Sequence, residues 1–77
     1  MNKVRRKAIS ELASKLEELM AELEEVKDEE QESLDNIPES FWGTERYTIS
    51  EEAVSNLESA IDGIQEALDY MNETAEA

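Results

Sequence analysis

Carboxylates are the groups in this sequence that could do chemistry. The 77 residues include 21 Asp and Glu but no His and no Cys. The chain therefore lacks the commonest general base and metal ligand, and it has no thiolate nucleophile. The Glu-x-x-His motif of di-iron helical bundles cannot occur, and a calcium loop from Asp28 to Glu39 would place Ser33 where glycine is required. We expect a non-enzymatic protein without a metal or other cofactor.

The acids are concentrated, with ten of them in residues 17–35 and only Lys27 to offset them. Four recur every seven residues from Glu11 to Glu32, which on a helix forms one line. This density could be a solvated face that keeps a small protein in solution. It could also mimic nucleic-acid phosphates and occupy the basic groove of a nucleic-acid-binding protein. The acidic face predicted to bind such a basic partner comprises Glu11, Glu18, Glu22, Glu25, Asp28, Glu29, Glu32 and Asp35.

The net charge of −14 is divided unevenly, with +4 in residues 1–15 and −18 in residues 16–77. Such a chain repels nucleic acid and anionic membranes, so we expect direct binding to neither. No apolar run approaches the roughly 20 residues that span a bilayer, and the N-terminal segment lacks the apolar centre of a signal peptide. We expect a cytoplasmic location. The basic N-terminal residues should pair with Glu73 and Glu76.

A second candidate surface lies in the middle of the chain, where three of the four aromatic residues occur. This aromatic tip consists of Phe41, Trp42, Arg46 and Tyr47. Its aromatic rings could fold back and plug the end of a helical hairpin. They could instead form an exposed binding hot spot, because Trp, Tyr and Arg dominate interfaces.

Two apolar repeats position these residues. Each has six positions at successive spacings of 3, 4, 3, 4 and 3, the pattern of helices packed as a coiled coil. The pattern predicts an all-α fold: an antiparallel two-helix coiled-coil hairpin in a single domain, residues 1–77. We place the helices at about 3–35 and 50–74, with the turn at about 36–49 and Ser50 or Thr48 capping the second helix. The repeats are Ile9, Leu12, Leu16, Leu19, Leu23 and Val26, then Val54, Leu57, Ile61, Ile64, Leu68 and Met71.

The repeats mirror each other about residue 40, which opposes Ile9 with Met71. Further apolar residues make each stripe wider than one helix contact covers. We therefore expect a homodimer, a four-helix bundle whose association strengthens with salt because salt screens the repulsion between the two copies. The residues that widen the stripes are Ala13 and Met20 in the first repeat, and Ala53, Ala60 and Ala67 in the second.

The segments RRKAI at 5–9, DEEQE at 28–32, IPES at 37–40, SEEA at 50–53 and NLE at 56–58 carry a resemblance. The chain resembles small acidic helical-hairpin proteins of phages and mobile elements of Gram-positive bacteria. Some small acidic phage proteins, anti-CRISPR proteins among them, inhibit host defence or DNA-handling enzymes. The resemblance implies an inhibitor of a host nucleic-acid-binding protein such as a CRISPR effector. The residues leave one alternative open, a structural coiled-coil assembly module whose acids only solvate it.

Overall fold

The computed structural model describes residues 1–77 and contains two long helices and no strand. Helix α1 spans Lys3–Asp35 and helix α2 spans Glu45–Glu76, with a short 3₁₀ helix at Glu39–Phe41 between them. The two long helices pack against each other as a hairpin 59 Å long and 15 Å wide. The predicted all-α hairpin is confirmed.

The ends of α1 follow from local chemistry. Asn2 caps its N-terminus, where the side-chain oxygen accepts a hydrogen bond of 2.8 Å from the amide of Arg5. This bond satisfies one of the amides that the first turn of any helix leaves free. The helix ends at Asp35, before Pro38, because the residue preceding a proline is disfavoured in the helical conformation.

Helix α2 begins five residues earlier than the predicted position 50, and Thr44 caps it rather than Ser50 or Thr48. The Thr44 hydroxyl oxygen accepts from the amide of Tyr47 at 3.3 Å and donates to the carbonyl of Phe41 at 2.8 Å. Gly43 takes a positive φ of 88°, which favours glycine and ends the turn there. Because residues 45–49 contain no Gly or Pro, the helix extends back to the cap.

The contact row of α2 is the predicted one, since all six residues of the second repeat are buried or half-buried. The contact row of α1 is shifted by one residue at three positions. Leu12, Leu19 and Val26 are 55%, 58% and 52% exposed, so their predicted place in the seam is wrong. The residues that face α2 are Ile9, Ala13, Leu16, Met20, Leu23, Lys27, Glu30 and Leu34.

The shift has a packing explanation. In α1 two neighbouring rows are apolar, because Leu12 precedes Ala13 and Leu19 precedes Met20. The mirror about residue 40 puts Ala13 level with residue 67, next to Leu68, and Ala13 and Leu68 are 2% and 1% exposed. A small residue opposite a large one lets the helices approach closely. The helices therefore pack through the row that contains alanine, and the larger leucines of the neighbouring row stay outside.

Candidate partner-binding surfaces

All eight residues of the predicted acidic face are exposed. The row from Glu11 to Glu32 lies on the side of α1 that points away from α2, because the contact row occupies the opposite side. Asp28 forms an ion pair of 2.9 Å with Lys27, and Asp35 accepts a hydrogen bond of 2.8 Å from Gln31. The other six carboxylates have no partner within the chain, so they are free to meet an external cation.

The spacing of these acids resembles that of a nucleic-acid strand. The ten acids of residues 17–35 occupy about 28 Å of helix at about 1.5 Å per residue. This gives one negative charge per ~3 Å, close to the ~3.4 Å of axis per phosphate in one strand of DNA. The acidic part of α1 therefore presents the charge density of a nucleic-acid strand on a rigid rod.

Acids of α2 extend this surface around one flank of the hairpin. Glu24, Lys27 and Asp28 share an open cleft with Glu58 and Asp62. We call this the acidic cleft. Its α2 members were not predicted as site residues, although the mirror about residue 40 brings residue 58 beside residues 22–24. No group of three or more carboxylates is placed to hold a metal ion.

Lys27 is the basic residue of the acidic cleft. The hydrogen bond to Asp28 raises the pKa of Lys27 above its ordinary value, and the charges of Glu58 and Glu24 act in the same direction. The ammonium group therefore stays charged, and it offsets one of the four cleft carboxylates. The cleft remains net negative and favours a cationic ligand.

The aromatic tip is fixed but open to solvent. Trp42 donates from Nε1 to the carbonyl of Ile37 at 3.1 Å, and its ring centroid lies 6.1 Å from that of Tyr47. Even so, Trp42 is 54% exposed and Phe41 is 57% exposed. The buried Leu34 closes this end of the seam. A plug built from the rings of Phe41 and Trp42 is therefore not what the structure contains.

The other members of the tip surround an open pocket of about 530 Å³. Phe41, Arg46 and Tyr47 line it together with Ser33 and Ile37, whereas Trp42 does not. The tip thus divides into a pocket and a separate indole ring that is held by its own hydrogen bond.

The basic N-terminal segment lies beside the end of α2, as the hairpin requires. Arg6 donates from Nη1 to the main-chain oxygen of Ala77 at 2.9 Å. The predicted ion pairs with Glu73 and Glu76 are wrong, because the one ion pair in the chain joins Lys27 to Asp28. Arg6 instead donates to the main chain at Ala77, which follows both glutamates in the sequence.

The flank opposite the acidic cleft is apolar. Leu12, Leu19 and Val26 form one row along α1, and the matching row of α2 consists of alanines. The predicted widening of the first stripe by Ala13 and Met20 is wrong, because both residues lie in the seam. The exposed side chains of Leu12, Leu19 and Val26 identify the outer row. The sequence alone does not show which of the two adjacent apolar rows of α1 lies outside. The apolar flank comprises Leu12, Leu19, Val26, Ala53, Ala60 and Ala67.

No known protein family, curated protein or solved structure matches the chain. Neither helix has a stretch apolar enough, over sufficient length, to cross a membrane.

Proposed function

We propose that this chain is a non-enzymatic binding protein whose acidic face occupies the nucleic-acid-binding surface of a basic partner protein. The observation that carries the proposal is the row of unpaired carboxylates along α1. Together with the other acids of residues 17–35, this row gives one negative charge per ~3 Å of helix axis, close to the ~3.4 Å per phosphate that a nucleic-acid-binding groove receives.

Rigidity supports the same function. A helix holds the backbone positions of its acids at fixed spacing, so little backbone entropy is lost when a partner binds them. The basic surface on the partner would come from lysine and arginine side chains that otherwise contact phosphates. The resemblance to small acidic phage proteins points to a nucleic-acid-handling enzyme of a bacterial host, such as a CRISPR effector, as the class of target.

A second candidate function has its own observation. The apolar flank favours a structural coiled-coil module that acts in assembly, with the acids serving only to solvate it. Its contacts would be apolar and therefore little affected by salt, whereas contacts made by the acidic face weaken as salt screens the charges.

The test is a capture experiment with the heparin-binding protein fraction of a bacterial lysate. The immobilised chain should retain basic proteins at low salt, and excess duplex DNA should compete for them. Reversing Glu18, Glu25 and Glu32 to Lys should abolish that capture while leaving the helix content by circular dichroism intact. All three side chains are exposed, and the change relieves repulsion between neighbouring acids.

The matched control reverses Glu52, Glu66 and Glu73 to Lys. These residues are exposed on the outer side of α2, so the control changes net charge by the same amount on a different surface. It should retain most of the capture. Equal loss in both variants would show that net charge alone drives binding. Capture that survives reversal on α1 would exclude the acidic face from the mechanism.

A further inference from the structure

The apolar flank is also almost free of acids, in a chain with 21 of them. The next row of α2 beyond its alanines contains no charge at all and includes Ile49 and Tyr70, which are 59% and 64% exposed. On the α1 side the bordering row contains Lys15, Glu22 and Glu29. A protein that needed acids only for solubility would not leave its most apolar surface without them.

We propose that this flank binds a second copy of the chain, with the two hairpins antiparallel, so that the tip of each lies at the open end of the other. The two hairpins together form a four-helix bundle. Its two-fold axis passes near Leu19 and Ala60, at the middle of each helix. The proposal does not depend on the acidic face having a partner.

Charge favours this orientation over a parallel one, although two copies of −14 each repel overall and depend on salt to screen that repulsion. Reversal about Leu19 brings Lys15 near the partner's Glu22, and brings the basic residues 1–15 of each copy beside the acidic half of α1 in the other. A parallel arrangement would place the two basic ends together and the two acidic segments together. Ion pairs at a rim set orientation more than affinity.

Apolar contacts fit the same orientation. When the two flanks face each other in the antiparallel orientation, Leu12 lies over the partner's Val26, and Ile49 lies over the partner's Tyr70. The alanines of the two α2 helices lie over each other, where their small size lets the helices approach closely. Each exposed apolar side chain of the flank therefore meets an apolar neighbour.

The area of the full hairpin face, its polar ends included, is of the size that a stable dimer needs. The hairpin is 59 Å long and 15 Å wide, a footprint of about 900 Å². Stable interfaces bury ~800 Å² on each partner. The row from Glu11 to Glu32 remains on the outside of such a dimer.

Sedimentation equilibrium tests the proposal. The wild-type chain should sediment as a dimer of its 8.8 kDa protomer. Leu19→Glu should weaken dimerisation by about 100-fold or more, because the two-fold axis would bury two like charges against each other. Helix content should be retained, since Leu19 is exposed in the protomer. The matched control is Ala21→Glu, an exposed position on the other side of α1, and it should dimerise like the wild type.

Cross-linking tests the orientation. The chain contains no cysteine, so Leu19→Cys introduces a unique thiol. In the antiparallel dimer this thiol lies near its symmetry mate, and a short bismaleimide should join the two copies, whereas Ala21→Cys should not react in this way. A wild-type chain that sediments as a monomer at all attainable concentrations, or equal dimerisation by Leu19→Glu, would overturn the proposal. Cross-linking that is no greater for Leu19→Cys than for Ala21→Cys would overturn the antiparallel arrangement.

Discussion

The same two helices build both flanks of the hairpin, and the flanks differ completely in chemistry. On one side Leu19 lies beside Ala60, and on the other Glu24 and Asp28 lie beside Glu58. The difference shows that the acidic residues are concentrated on one flank and nearly absent from the other, rather than distributed evenly over the surface. A heptad seam uses about one third of each helix surface, so the remaining rows can specialise without affecting the fold.

The largest expected effect is the difference in unfolding free energy between a substitution in the seam and one on the apolar flank. Leu68→Ala should destabilise the hairpin by about 2–5 kcal/mol, because Leu68 is 1% exposed and its removal leaves a cavity. Leu19→Ala should change protomer stability by less than about 0.5 kcal/mol, as expected for an exposed position. Thermal unfolding by circular dichroism, at a concentration where the chain is monomeric, measures both.

The two variants also test whether the apolar flank is separate from the protomer core. A loss from Leu19→Ala as large as that from Leu68→Ala would mean that the outer row contributes to the protomer core. The apolar flank would then not be a free surface, and a second copy would not be needed to cover it.

A smaller effect is expected at the aromatic tip, which belongs to neither flank. Trp42→Ala should cost about 1–2 kcal/mol in unfolding free energy, less than the ~3–5 kcal/mol of a buried tryptophan. The ring is 54% exposed but donates one hydrogen bond to Ile37. Trp42→Phe keeps an aromatic ring and removes only the donor, so it should cost about 1 kcal/mol.

Chemical denaturation of the two tip variants measures these losses. A cost above ~3 kcal/mol for Trp42→Ala would show that the ring is a structural plug. Capture of basic proteins should be unaffected in both variants if the acidic face alone is the binding surface. Weakened capture with near-native stability would instead make the tip part of that surface.

Periodicity was sufficient to predict the fold and the contact row of α2, and insufficient to choose between adjacent rows of α1. In α2 the contact row is flanked by alanines, so only one set of large side chains could pack. In α1 a leucine precedes both Ala13 and Met20, and the two rows have similar hydrophobicity. The choice depends on how Leu68 fits against Ala13, which is a property of the packed pair of helices.

The start of α2 shows a different limitation. Ser50 followed by two glutamates is a good local capping sequence, but Thr44 offers another, immediately after a glycine suited to a positive φ. Two caps six residues apart compete, and the one that lengthens the helix adds backbone hydrogen bonds. By contrast, the exposure of the acidic face could be predicted from the heptad spacing of its residues alone, and all eight side chains are exposed.

If the acidic face and the apolar flank act independently, each can be disabled without affecting the other, and a crossed experiment measures this. Capture of heparin-binding proteins and sedimentation equilibrium are measured on the same two variants. Leu19→Glu should lose dimerisation and keep capture, whereas the reversal of Glu18, Glu25 and Glu32 should lose capture and keep dimerisation. Salt should weaken capture and strengthen the dimer, whose copies each carry −14. A single variant that loses both properties would show that the acidic face and the apolar flank do not act independently.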